Sequence, residues 1–136
     1  MEYLDIVDEQ GQPTGEIISR TLAHTEGIRH RTAHIWIVRR ENEHFQVLMQ
    51  KRAMSKDSFP GKYDTSSAGH IQAGDEPLAS GLRELAEELG IHAKPEDLAF
   101  AGCIHGNFAE EFHGKIFRDN EIAFVYVYQQ PVNIET

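Results

Sequence analysis

Apolar residues recur every three or four positions between Leu78 and Leu89, while elsewhere they come in short β-branched and aromatic runs. At about 100° per residue, Leu78, Ala79, Leu82, Leu85, Ala86 and Leu89 share one stripe, which predicts an amphipathic helix. Asp75 can cap it, Pro77 suits its first turn, and Gly90 stands where a left-handed C-terminal cap is expected. Gly81 inside the helix costs about 1 kcal/mol relative to alanine and suggests close approach of another backbone. Residues 2–7 predict a strand, residues 8–15 (DEQGQPTG) a turn, and Glu16–Ser19 a return strand, giving an N-terminal hairpin within residues 1–20. Residues 32–39 read as a central strand and 45–51 as its hairpin partner across Asn42. Residues 64–70 read as strand or extended chain, and 98–104 and 121–129 as further strands. Residues 20–31 lack a clear period and read as loop, as does RAMSKDSFPGKYD with its Pro60-Gly61 pair. Strands outnumber helices, and their order predicts an α/β architecture in which the helix lies on a mixed sheet.

Length and charge narrow the classes. The 136 residues fit one domain with one core. The formal net charge is −9, from 22 acidic residues against 13 Lys and Arg, which argues against broad nucleic-acid binding. A small phosphorylated ligand, held by a few basic residues and a metal ion, is compatible with that charge. Cys103 is the sole cysteine, so no intrachain disulfide forms and a reducing compartment is expected. The acidic N-terminus is unlike a signal peptide, and no apolar run approaches the roughly 18–20 residues that span a bilayer. These features predict a cytoplasmic protein.

The face of the helix opposite its apolar stripe carries Glu84, Glu87 and Glu88. Carboxylates at i, i+3 and i+4 repel one another, and a bound divalent cation would make the cluster favourable. Mg²⁺ takes oxygen ligands and keeps several waters; at such a site it can neutralise a phosphate and make a bound water nucleophilic. Arg83 adjoins Glu84 and precedes Glu87 by one turn, so it can fix a carboxylate or touch phosphate. Gly69 and Gly74 permit a tight loop before the helix, whose N-terminus can attract an anion. The plain alternative is a solvated charged face.

The segment Gly69–Ile91 resembles the Nudix box: Gly, five residues, Glu, seven residues, Arg-Glu, an aliphatic, any residue, Glu-Glu, any residue, Gly, an aliphatic. Gly69, Arg83, Glu84, Leu85, Glu87, Glu88, Gly90 and Ile91 stand in register, and Asp75 replaces the first Glu. The resemblance implies a Nudix-type α/β/α sandwich with a mixed β-sheet, and water attack on a diphosphate joined to another group. It implies Mg²⁺ or Mn²⁺ held by Glu84, Glu87, Glu88 and the Gly69 carbonyl, with Arg83 in support. It also implies a general base outside the box, for which Glu121 is the candidate. Dimers occur in the family, so a homodimer is among the expectations.

The chain is also similar to the isopentenyl-diphosphate isomerase branch of that superfamily. The residues are Ala23-His24-Thr25, His30 six positions before Trp36, the run Lys51–Asp64 and the pair Gly69-His70. This resemblance implies a separate metal site from His24, His30, His70, Asp119 and Glu121, and diphosphate contacts from Arg52 and Lys56. Three imidazoles with carboxylates suit Zn²⁺ or Mn²⁺ as well as Mg²⁺. The His24–His30 spacing is one residue shorter than that branch's pattern, and Asp119 replaces a Glu. Ala68 stands where the isomerase has its cysteine, and a methyl group donates no proton. His34 reads as structural.

The function expected is therefore Mg²⁺-dependent hydrolysis of a diphosphate linkage in a nucleoside diphosphate derivative or related small molecule. The alternatives are an isomerase-like enzyme and a non-catalytic diphosphate-binding module. Nudix domains usually continue past the strand at 121–129, often into a helix, so a short or missing C-terminal element is also expected.

Overall fold

A computed structural model describes residues 2–41, 44–48, 50–51, 63–64, 66–112 and 114–129. Strands β1 (Tyr3–Val7) and β2 (Pro13–Ser19) pair antiparallel, with Leu4 opposite Ile18. The Asp8 carboxylate accepts the amides of Gln10 and Gln12 at 2.9 and 3.0 Å and organises the turn between them. Leu4 and Val7 point inward and are buried.

The next segment departs from expectation. Arg20–Glu26, read as loop, form helix α1. The Ser19 hydroxyl accepts the Leu22 amide, and Gly27 closes the helix at φ 71°. Seven residues are too few for an apolar period to register, so the two caps were the legible signal.

Strand β3 (His30–Glu41) is central. One edge pairs in parallel with β9 (Lys115–Tyr128), from His30↔Glu121 to Ile37↔Tyr128. The other pairs antiparallel with β7 (Ser67–His70) and β4 (His44–Leu48). Strand β8 (Leu98–Phe112) follows a short 3-10 turn at Pro95–Asp97 and lies antiparallel to β9. Strands β5 (Gln50–Lys51) and β6 (Tyr63–Asp64) form a separate short pair. The Ser66 hydroxyl donates to the Leu48 carbonyl and accepts the Ile37 amide at 2.9 Å, tying β4 to the approach to β7.

Both β8 and β9 outrun the predicted strands. Their pairing continues from Asn107↔Asn120 to Phe112↔Lys115, beyond the His30↔Glu121 pair where β3 begins. Among the described residues no third strand pairs with that ribbon, and helix α1 covers part of it, with His24 stacked on Phe117 and Asp119 buried. Its sequence is charged and does not alternate.

Helix α2 (Pro77–Leu89) covers the face bearing Ile35, Ile37, Tyr126 and Tyr128, with Leu85 and Leu98 completing the buried cluster. Helix α1 packs against β9. Among the described residues the architecture is α/β, with two helices on a mixed sheet, as expected. Because side chains alternate, His30, Thr32 and His34 share the opposite face with Glu121.

Two details of α2 differ from the sequence reading. Glu76, not Asp75, occupies the N-cap position, and its side chain makes no cap bond. The close neighbour of Gly81 is a side chain: a Cβ there would lie 2.9 Å from Ile35 Cδ1 and 3.8 Å from Leu98 Cδ1. We expect Gly81→Val to destabilise the fold by about 1–3 kcal/mol through overpacking, despite the gain in helix propensity. The urea unfolding midpoint checks this.

Candidate functional site

Strand β7 brings two groups of chemistry-bearing side chains close to one backbone. Gly69 pairs with Ala33 and Ser67 with Ile35, which sets both on the α2 face. A Cβ on Gly69 would lie 2.3 Å from Glu84 Cδ, so the Glu84 carboxylate occupies the space a side chain would fill. Gly69 is thus required for close approach within a strand, not for a tight loop; Gly74, at φ 85°, serves the turn as expected.

The helix carboxylates have different surroundings. Glu88 Oε1 accepts the Ser67 hydroxyl at 3.0 Å and the Ala68 amide at 3.1 Å. The Glu84 side chain is 15% exposed and that of Glu87 63%. Arg83 donates to Asp75 Oδ2 at 2.8 Å and lies 3.5 Å from Glu84 Oε1 and 4.0 Å from Glu87 Oε1. The expected cap Asp75 is therefore the partner that fixes Arg83. Burial raises the pKa of Glu84, and the charge of Glu88 raises it further; the Arg83 guanidinium opposes both, while Glu87 adds to the rise. The oxygens on this face are suited to a hard divalent cation.

On the other face, the imidazoles of His24, His30 and His70 converge, with ligand atoms within 4.8 Å of one another. His24 Nε2 and His30 Nε2 each lie 3.5 Å from Asp119 Oδ1. His30 Nδ1 is 2.9 Å from the Ile28 carbonyl, which only accepts, so that nitrogen carries the proton and Nε2 presents a lone pair. His30 Nε2 and Asp119 Oδ1 are buried with no hydrogen-bond partner among the described residues. Two facing acceptors need a shared cation or proton, and a divalent metal fits this donor set.

Glu121 joins this second group. It accepts the Thr32 hydroxyl at 2.5 Å and lies 3.8 Å from His34 Nε2. Burial pushes the Glu121 carboxyl up, but hydrogen bonds from His34, Asp119 and Thr32 outweigh it and hold the group below the ordinary carboxylate range. Burial raises Asp119, and its hydrogen bond to Glu121 and the charge there raise it further. Asp119 is thus the member of the pair that keeps a proton. Thr32 and His34 were missed as site residues, although His30, Thr32 and His34 stand two apart on a strand and so share a face. Cys103 pairs with Phe124, which pairs with Ala33, so it lies on the α2 side and does not replace the thiol lacking at Ala68. Arg52 and Lys56 lie outside the described residues.

The NUDIX domain family matches residues 28–136, and the chain belongs to that family. It is 43% identical over 135 residues to an uncharacterized Nudix hydrolase of Clostridium acetobutylicum, covering 99% of this chain and 63% of the relative. It is 30% identical over 129 residues to the isopentenyl-diphosphate Delta-isomerase of Streptomyces avermitilis, covering 95% of this chain and 63% of that one. The chain therefore spans under two thirds of the length of these relatives. Among solved structures, DR0079 from Deinococcus radiodurans aligns with a TM-score of 0.66 at 21% identity, over 97% of this chain and 74% of that one. The NUDIX domain of Shewanella oneidensis NrtR, solved with ADP ribose, aligns with a TM-score of 0.57 at 13% identity, over 85% and 73% of the two chains. No described helix is long and apolar enough to cross a membrane.

The histidines give a pH prediction for the metal-free protein. Burial lowers the pKa of His24 and His30, and burial together with the charges of Arg20, His30 and His24 lowers His70 to about 3. The unfolded chain takes up protons on these groups below about pH 6.5, whereas the folded chain holds them neutral, so stability falls as pH drops. Between pH 7.5 and pH 5 in the presence of chelator, the His70 contribution to this loss is about 2 kcal/mol. We expect His70→Gln to flatten the decline, measured by urea unfolding at both pH values.

Proposed function

We propose that this chain is the core of a divalent-metal-dependent hydrolase that cleaves a diphosphate linkage in a nucleoside diphosphate derivative or related small molecule. The observation that carries this reading is the partly buried Glu84 carboxylate, seated on Gly69 beside Glu87 and Glu88. Arg83 supplies one positive charge to Asp75, Glu84 and Glu87, Glu88 adds a fourth carboxylate, and Mg²⁺ or Mn²⁺ would balance the rest. Glu84, Glu87, Glu88 and the Gly69 carbonyl hold the ion, and Arg83 keeps Glu84 and Glu87 in position. The ion supplies charge neutralisation for the diphosphate and lowers the pKa of an attacking water.

His24, His30, His70, Asp119 and Glu121 form a second centre in this proposal, on the opposite face. Glu121 serves this centre rather than acting as general base beside α2; its nearness to His34 and Asp119 supports that role. Arg52 and Lys56 are assigned the diphosphate, as basic side chains on the segment following β5. The lone Cys103 supports a reducing, cytosolic setting.

The test is a Mg²⁺-dependent hydrolysis screen over nucleoside diphosphate derivatives, ADP ribose among them, sugar nucleotides and prenyl diphosphates. On the best substrate, Glu87→Gln and Glu88→Gln should each lower kcat/KM at least about 100-fold, the upper range for groups that support a metal site. Full activity in both variants overturns the reading.

The converging histidines favour one second reading, an isomerase-like activity on a prenyl diphosphate. Ala68 opposes it, since neither its methyl group nor Cys103 supplies the proton donor. Incubation with isopentenyl diphosphate in deuterated water should give no label above background in the wild type; incorporation would establish isomerase chemistry instead.

A further inference from the structure

The N-terminal hairpin precedes the residues that match the family, yet it is wired to the acidic helix. Asp5 on β1 carries two bonds through one oxygen: Oδ2 accepts Arg31 Nη2 and the Gly74 amide, each at 3.0 Å. The same Arg31 nitrogen donates to the Asp75 carbonyl at 3.1 Å. The Asp75 side chain in turn accepts Arg83 at 2.8 Å, and Arg83 adjoins Glu84 and Glu87. Backbone contacts reinforce the join: the Ala73 amide donates to the Tyr3 carbonyl at 2.8 Å, and Leu4 bridges to Gln72. Arg31 is 5% exposed; its Nη2 meets both acceptors, while Nε is buried with no hydrogen-bond partner among the described residues.

Gly74 and Asp75 belong to the turn that leads into α2; the Asp75 amide closes it on the Gln72 carbonyl at 3.0 Å, and further contacts hold it in place. Asp5 and Arg31 supply them from one side, and Arg83 draws on the result from the other. We infer that Asp5 and Arg31 are positioning residues for the carboxylate face of α2. Through the 72–75 turn they set the Asp75 carboxylate, which sets the Arg83 rotamer and so the spacing of Glu84 and Glu87. The hairpin thereby governs metal affinity at a site it does not touch. This rests on the hydrolase reading for its consequence, but not for its geometry.

The experiment uses the full chain with Asp5→Ala, Asp5→Asn and Thr14→Ala. Thr14 Oγ1 donates to the Ile6 carbonyl within the hairpin and lies outside the chain of contacts, so Thr14→Ala loosens the hairpin alone. Two readouts are the ¹⁵Nε resonance of Arg83 and the Kd for Mn²⁺ by calorimetry, with circular dichroism reporting the fold. Asp5→Ala should shift and broaden the Arg83 resonance and weaken Mn²⁺ about 10-fold, the lower end for outer-sphere partners of a metal site. Asp5→Asn, which keeps an acceptor for Gly74, should fall between it and wild type, and Thr14→Ala should match wild type. An unmoved Arg83 resonance in both Asp5 variants overturns the inference, as does an equal effect of Thr14→Ala. If Asp5→Ala fails to fold, Asp5→Asn decides by the same resonance. A wild type that takes up no Mn²⁺ overturns the hydrolase reading, while the Arg83 resonance still decides the positioning role.

Discussion

The carboxylate of Glu84 lies where Gly69 has no side chain, and the candidate site depends on that contact. It sets α2 against β7 with an acidic group partly buried at the sheet surface. A Cβ at position 69 would displace the Glu84 carboxylate from the strand. Once Glu84 is seated, its neighbours are constrained. Glu88 finds the Ser67 hydroxyl and the Ala68 amide, and Glu87 stays toward solvent. Arg83 is left to hold the group together against repulsion. A site built this way is short of positive charge by construction, and a hard cation is the economical remedy.

The pleat of β7 separates two chemistries that are adjacent in sequence. Gly69 faces α2, whereas His70 faces His24 and His30. Alternation along β3 and β9 extends the same division: the aliphatic and tyrosine positions serve the α2 core, and His30, Thr32, His34 and Glu121 serve the other side. The two groups differ in donor character as well. Carboxylates alone on the helix favour a hard ion, and imidazoles mixed with carboxylates accept a softer one. In the second group Asp119 and Glu121 are shifted in opposite directions. One carboxyl is pushed toward the neutral form, while the other is held charged by three hydrogen-bonding neighbours.

The hairpin of β1 and β2 gives the site a further boundary. Residues 1–27 precede the matched family domain. Even so, Asp5 bonds to both Arg31 and Gly74, and Gly11 packs where a Cβ would lie 3.2 Å from Phe124. The hairpin therefore lies on the sheet and on the turn before α2 at once. A description limited to the signature segment omits what holds that turn.

Much of this was legible in the chain itself. The period of Leu78–Leu89, the central strand at 32–39 and the register of Glu84, Glu87 and Glu88 follow from local rules of helix and strand geometry. Such rules act between residues a few positions apart, and the sequence states them directly. They do not reach between segments. The sequence set Gly69 in a tight loop and Asp75 at the helix cap, because their partners Glu84 and Arg83 are distant along the chain. Helix α1 escaped because it is shorter than the period that would reveal it. The sequence by itself determined that α2 and the central strand form and which side of α2 is acidic. Tertiary structure alone decided which acidic and imidazole groups share a space, since that depends on strand pairing and the side of the pleat each group takes.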